Sequence, residues 1–254
     1  MYLYIYDSFL NHKKYSALLA RIENRLADLE IKGKINRLNI LKNMKEVIED
    51  GIEQGVKTVV AVGDDQTFSK VVNIIADLDV TLGLIPVNKK SKIARILGIP
   101  AEEQACDVLA QRLIKKIDLG KINQHYFIDS ATIESPDVTL EFGKYRISPI
   151  VKKSLISICN LGFLSGNQTV YQNNISNPTD GLLEAVVAQT TGKLFNKVQK
   201  SARQSIFPFK KIKIGSAGEP ATITIDQQAV SKTPVEISIA PNKLNIIVGN
   251  KRLF

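Results

Sequence analysis

The chain has too little cysteine, histidine and unbroken apolar sequence to fit several classes of protein. Its two cysteines, Cys106 and Cys159, stand apart. Neither the spacing of a zinc site nor a disulfide framework is present, so they read as reduced thiols in a cytoplasmic protein. Its two histidines, His12 and His125, have no neighbour at metal-ligand or triad spacing and are given no role. No apolar run approaches the ~20 residues that a membrane span requires. The opening MYLYIYDSF has neither a basic flank nor a small-residue cleavage site, and it reads as a first strand, not a signal peptide. Repeats, low-complexity linkers and aromatic-interleaved basic segments are missing too. The last absence argues against nucleic acid as a partner.

What is present describes a globular protein of modest size. The 254 residues are 44% hydrophobic and 23% charged, with few Gly and Pro, which leaves room for two modest domains. Net charge is +9, but the basic residues are scattered through IKGK, NKKSK, LIKK, IVKKS and PFKKIKI. Scattered lysine reads first as a solvated surface. Its functional reading is peripheral attraction to an anionic membrane, worth ~1 kcal/mol per nearby cation, or binding of a phosphorylated ligand.

The first part of the chain alternates strand and helix patterns. Tyr2–Tyr6 is strand-like, and Leu18, Ile22, Leu26 and Leu29 share one helical face. Asn39 is the expected cap of a second helix, with Leu41, Met44, Ile48 and Ile52 as its stripe and Gly55 at its end. Strand Thr58–Val62 follows, then a helix opening near Thr67. Strand Leu82–Ile85, a short helix ending near Gly98-Ile99-Pro100 and a helix from Glu102 to Lys116 complete this half. Repeated βα units predict a doubly wound α/β domain with a parallel sheet over residues 1–122.

Residues 123–254 have a different texture. VTLEFGKYRISPI alternates about a Gly turn. Short strands are expected at Leu155–Cys159, Glu184–Ala188, Phe209–Ile214, Ala221–Ile225, Val235–Ile239 and Leu244–Val248, with one helix near Lys193–Arg203. This predicts an antiparallel β-rich second domain. Whether Leu244–Val248 belongs to it or packs back near the hinge is left open.

Residues 58–73, TVVAVGDDQTFSKVVN, carry the main motif: an apolar strand, a sharp turn at Gly63 and a helix start. Such a layout turns backbone N–H groups toward an anion. The segment resembles the phosphate loop of the diacylglycerol kinase catalytic family, GGDGTxxxVxN, with Gly63, Asp65, Thr67, Val71 and Asn73 in register. Other landmarks follow in family order. PVNKKSKIARILGIP, from Pro86, is similar to PLGTGNDFARALGIP. IDLGKINQHYFIDSATI is similar to DLGxVNGxYFxNxASxG, and NPTDGLLE contains the family's DGLL. Ile225-Asp226-Gln227-Gln228 with Thr233-Pro234 resembles xDGExxxxTP. The resemblance implies a fold related to that of NAD kinases. It also implies ATP with Mg²⁺ bound between two domains, phosphotransfer to a lipid hydroxyl, and frequent pairing as a homodimer. By it, Gly63, Asp65, Thr67 and Asn73 are nucleotide-binding candidates.

The departures fall where the chemistry would be. Two phosphate-loop glycines are replaced by Asp64 and Gln66, and Asp7 stands where the family has an Asn-Pro turn. A carboxylate facing the bound phosphates would repel them by several kcal/mol at low effective dielectric. Alternatively, Asp64 and Asp65 form a solvated turn that caps the next helix. Lys89, Lys90 and Lys92 replace the second phosphate loop, either as a plain exposed loop or as an anion site built from side-chain charge. Gln228 occupies the position that the resemblance assigns to the general base, whose loss typically costs ~10²–10⁴ in rate. Asp226 beside it is read as a hairpin cap, or as an orienting or metal-binding group. Three functions stay open: a family member with weak or lost phosphotransfer and a retained interdomain cleft, an active ATP-dependent lipid kinase, and a non-enzymatic interaction module.

Overall fold

The computed structural model describes residues 1–39, 42–135, 137–149, 154–162, 176–189 and 204–254. The chain divides into two units: Met1–Ile117 with Asn242–Phe254, and Asp118–Pro241. Sequence texture placed the change at residue 122. The division falls earlier, inside a strand, and the end of the chain joins the first unit.

In chain order the first unit contains β1 (Tyr2–Tyr6), α1 (Ser16–Asp28), β2 (Gly33–Arg37), α2 (Met44–Glu53), β3 (Thr58–Gly63), α3 (Asp65–Ile75), β4 (Thr81–Pro86), α4 (Lys92–Ile96) and α5 (Ala105–Gln111). Strand β5 (Ile114–Ile122) then leads into the second unit. Every residue of β3 and β4 is buried, as expected of parallel strands covered on both faces. Strands β2, β1, β3 and β4 lie side by side in that order, all parallel. The chain order therefore reverses direction between β1 and β3, and the crevice beyond the carboxyl ends of these two strands is where open α/β sheets take ligands.

Several local expectations are corrected. Asn43, not Asn39, caps α2 by accepting the Lys45 N–H at 2.9 Å, and Leu41 lies outside the described residues. The polar segment of β2 gave no alternation of apolar residues, and it is an exposed edge strand held by β1. The helix after Pro100 stops at Gln111 because Arg112 turns left-handed, with φ 51°, so Lys115 and Lys116 belong to β5. Helix α3 opens at Asp65, ahead of Thr67.

The second unit contains β6 (His125–Phe127), β7 (Ser130–Glu134), β8 (Val138–Phe142), β9 (Tyr145–Ile147), β10 (Ser154–Cys159), β11 (Leu183–Gln189), β12 (Gln204–Phe209), β13 (Lys211–Ser216), β14 (Thr222–Ile225), β15 (Ala229–Lys232) and β16 (Val235–Ile247). One antiparallel sheet runs β12-β11-β10-β7-β14-β15, and the other joins the start of β16 to β13, β8 and β9. Alternating residues of both sheets, among them Ile133, Ile156, Ile212 and Ile237, form one apolar core. The predicted strand Phe209–Ile214 is in fact two strands, broken at Lys210, and the two final predicted strands are the single strand β16. The end of β16 pairs in parallel with β4, Asn245 opposite Thr81, which settles where Leu244–Val248 belongs. The helix expected near Lys193–Arg203 falls outside the described residues.

Candidate phosphate-loop site

Strand β3 ends in a buried glycine for a steric reason. A Cβ on Gly63 would stand 2.3 Å from the Thr67 hydroxyl oxygen, so the turn into α3 closes only without a side chain there. Asp64 then caps the helix. Its carboxylate accepts the Thr67 N–H at 3.0 Å, while the Asp64 N–H reaches the Thr67 hydroxyl at 3.3 Å. This reciprocal pair is a capping box. The cap read from the sequence is thus present at Asp64, which is half-buried and not a solvated acid, and Asp65 takes no part in it.

Thr67 is fully buried and gathers the site. Its hydroxyl donates to Asp7 Oδ2 at 2.8 Å and lies 3.1 Å from Asp64 Oδ1. Asp7 leaves the end of β1, where its N–H bonds the Val62 carbonyl at 3.2 Å. Two carboxylates thus meet one hydroxyl at the carboxyl ends of the two strands flanking the sheet's reversal point. Asp65 faces the next loop instead: it accepts a short bond from the Ser91 hydroxyl and the Lys92 N–H at 2.8 Å. Ser91 in turn caps α4 through the Ala94 N–H at 3.1 Å. The Val87 N–H reaches the Gly63 carbonyl at 3.0 Å, tying the same two loops together.

The structure thus brings Gly63, Asp65, Thr67 and Lys92 together, and leaves Lys89 and Lys90 exposed on the adjoining loop. A hollow of about 400 Å³ beside that loop is lined by Phe9, Tyr15, Asp64, Lys89 and Lys90. Asn73 sits six residues beyond Thr67 on α3, about 9 Å along the helix axis, and none of the contacts above includes it. Ser91 was missed by the sequence reading. The sign was local: a serine three residues before Ala94 at a helix start.

In the second unit, Asp226 and Gln228 occupy the turn between β14 and β15. Asp226 does more than cap a hairpin. Its carboxylate accepts three successive backbone N–H groups, from Ile128, Asp129 and Ser130, each at 3.0 Å. Asp226 and Gln227 are both left-handed, with φ 46° and 59°. That conformation is costly for residues with a Cβ, and the resemblance puts glycine at Gln227. Gln228 is half-buried, and its N–H closes the turn on the Ile225 carbonyl at 2.9 Å. Nearby, Asp118 holds the Gly181 N–H at 2.8 Å, and Asn160 bridges the carbonyls of Asp118 and Ile128. Glu184, buried against Ser176, is raised above the usual carboxylate range by loss of solvent. Both cysteines are free and buried, and burial pushes the Cys106 thiol up to about 12.

Comparison with known proteins agrees with this layout. Residues 1–122 match the profile of the diacylglycerol kinase catalytic domain. The match covers just under half of the chain. A diacylglycerol kinase of Bacillus subtilis is 43% identical over 77 residues, 29% of this chain and 25% of that protein. A probable YegS-like lipid kinase of Pseudomonas aeruginosa is 31% identical over 90 residues, 35% of this chain and 30% of that protein. These alignments cover less than a third of each relative's length. A solved diacylglycerol kinase structure from Bacillus anthracis superposes with a TM-score of 0.79 at 19% identity, covering 99% of this chain and 97% of that one. At that identity the likeness speaks for the fold.

Within the matched residues, the turn after β3 is occupied by its own side chains. The Thr67 N–H that would point at an anion already holds the Asp64 carboxylate. Asp7 adds a second negative charge, engaged by the Thr67 hydroxyl. An anion arriving in this loop would meet both carboxylates. Among the described residues, no group of three or more His, Cys, Asp or Glu is arranged to hold a metal ion. None of the described helices is long and apolar enough to cross a membrane.

Proposed function

We propose that this chain is a lipid-kinase relative in which ATP-dependent phosphotransfer to a lipid hydroxyl is weak or lost, with the phosphate loop held shut by its own carboxylate. The observation that carries this reading is the Asp64 carboxylate bonded to the Thr67 N–H, with Asp7 on the Thr67 hydroxyl. Backbone N–H groups at a helix start favour an anion. Here an internal anion satisfies them, and a phosphate arriving at the same place meets two negative charges. Gln228, at the position that the family resemblance gives to the base, supports the same conclusion. An amide does not take up a proton as a carboxylate does. Net charge +9 supports peripheral attraction to anionic lipid.

The test combines ligand-induced stabilisation with a turnover assay. A ligand at ~100 times its dissociation constant stabilises a fold by ~2.7 kcal/mol, a shift of several degrees. ATP with Mg²⁺ is expected to leave the melting temperature of the unmodified chain unchanged. It should raise that of an Asp64→Gly variant, and lipid phosphorylation should rise only when Gln228→Glu is added. Efficient Mg²⁺-dependent phosphorylation of a lipid by the unmodified chain would overturn the proposal.

A further inference from the structure

A second cavity of the first unit adjoins the hollow beside Asp64, sharing Asn88, Lys89 and Glu102 with it. It has a volume of about 1100 Å³ and lies among α4, the segment around α5 and the final residues of the chain. Its wall is mainly apolar, with Ala94, Ile99, Val108 and Leu253 among the contributors. Backbone bonds hold that wall in shape. The Gly249 N–H reaches the Leu97 carbonyl and the Leu253 N–H the Ile96 carbonyl, each at 2.9 Å. The Asn250 amide bonds Gln111 at 3.2 Å.

The charges around this cavity do not cancel evenly. Its three carboxylates are all answered from α1: Arg21 pairs with Glu102 at 3.1 Å and Glu103 at 3.2 Å, and Arg25 pairs with Asp107. Lys89 and Lys251 also line it and are exposed, with Lys89 near enough to Glu103 to favour that group's charged form. With Arg21 and Arg25 beside the three acids and Lys89, Arg95 and Lys251 on the wall, cations outnumber carboxylates five to three, which favours an anion. Its size and apolar wall call for a body larger than the anion itself.

We propose that this cavity binds an anionic amphiphile, with its phosphate or similar head at Lys89 and Lys251 and its apolar body against Ile99, Val108 and Leu253. The head belongs to either a phosphorylated lipid or a soluble alkyl phosphate, and the site reads the chemistry that both share. Its position does not depend on whether the phosphate loop turns over ATP.

Calorimetric titration of the full chain with n-octyl phosphate, kept below its micelle-forming concentration, tests this. Saturable binding at one site per chain is expected, with inorganic phosphate at least tenfold weaker. Replacing Lys251→Glu at the exposed rim should weaken binding about tenfold or more, the usual scale for a lost contact to a charged group. Ala101→Trp, at a half-exposed position on the wall, should block it by filling the space. A titration with vesicles containing phosphatidic acid then separates the sources: Lys251-dependent binding to them assigns a lipid, and its absence assigns a soluble ligand. Absence of saturable octyl phosphate binding, or equal affinity in both Lys251→Glu and Ala101→Trp, would overturn the proposal. Inorganic phosphate binding as tightly as octyl phosphate would also overturn it.

Discussion

Replacing Asp64 separates its two roles, because asparagine keeps the cap and discards the charge. As a helix cap, asparagine is about as good as aspartate, whereas alanine costs ~1 kcal/mol. The bond at stake is the 3.0 Å contact from the Thr67 N–H. In a chain of this length ~1 kcal/mol moves the melting temperature by about 2–4 °C. Asp64→Ala should therefore lower it by that amount, and Asp64→Asn should leave it almost unchanged. The electrostatic role has a different scale. A carboxylate ~4 Å from a phosphate charge repels it by ~4 kcal/mol at an effective dielectric of 20, a ceiling that solvent and salt reduce. Since ~1.4 kcal/mol is tenfold in affinity, Asp64→Asn should tighten ATP binding at least tenfold, and the gain should shrink as ionic strength rises. Calorimetric titration with ATP and Mg²⁺, beside thermal melts, reads both effects. Unchanged ATP affinity in Asp64→Asn, with its melting temperature intact, would refute the repulsion argument.

Other expectations concern the second unit. Gln227→Gly should raise the melting temperature, because a left-handed residue with a Cβ costs ~1–2 kcal/mol and Gln227 has φ 59°. Asp226→Ala should be severe: three N–H groups lose their acceptor at once, and each unsatisfied buried donor costs ~1–3 kcal/mol. Loss of the folded second unit in limited proteolysis would report it. Glu184 gives a pH dependence with a definite sign. Burial raises its folded-state value above the ordinary 4.5, so the protonated form is favoured in the folded protein. That contribution is fully present below about 4.5 and is lost as pH rises through the raised value. Glu184→Gln should flatten this part of the stability profile, and denaturant melts across the window would show whether it does.

Much of the fold was legible because its signals are local. Continuous apolar runs gave β3 and β4, and alternation about a Gly turn gave β8 and β9. Where the sequence reading failed, the deciding partner lay elsewhere in the chain. Strand β2 is polar and exposed, so no periodicity marks it, and only its pairing with β1 makes it a strand. The last two predicted strands read as separate, yet one strand, β16, runs through Pro241 and Asn242. The end of that strand is held by β4, far back in the chain.

The site divides along the same line. Asp64 followed by Thr67 is a capping pattern within one turn, and the sequence shows it. What the sequence does not show is that the Thr67 hydroxyl finds Asp7, 60 residues away, or that Asp65 turns toward Ser91 and Lys92. Those contacts decide the chemistry. With its cap alone, Asp64 would be a replaceable surface acid, and a phosphate could displace it from the Thr67 N–H. With Asp7 on the same threonine, the hydroxyl is engaged as well, and an incoming anion must displace two carboxylates, not one. The argument therefore requires Asp7→Asn and Asp64→Asn to reinforce each other in ATP affinity. Both groups act through Thr67, and neighbours that share a partner do not behave additively. Strictly additive effects on ATP affinity would mean that the two carboxylates do not act at one place.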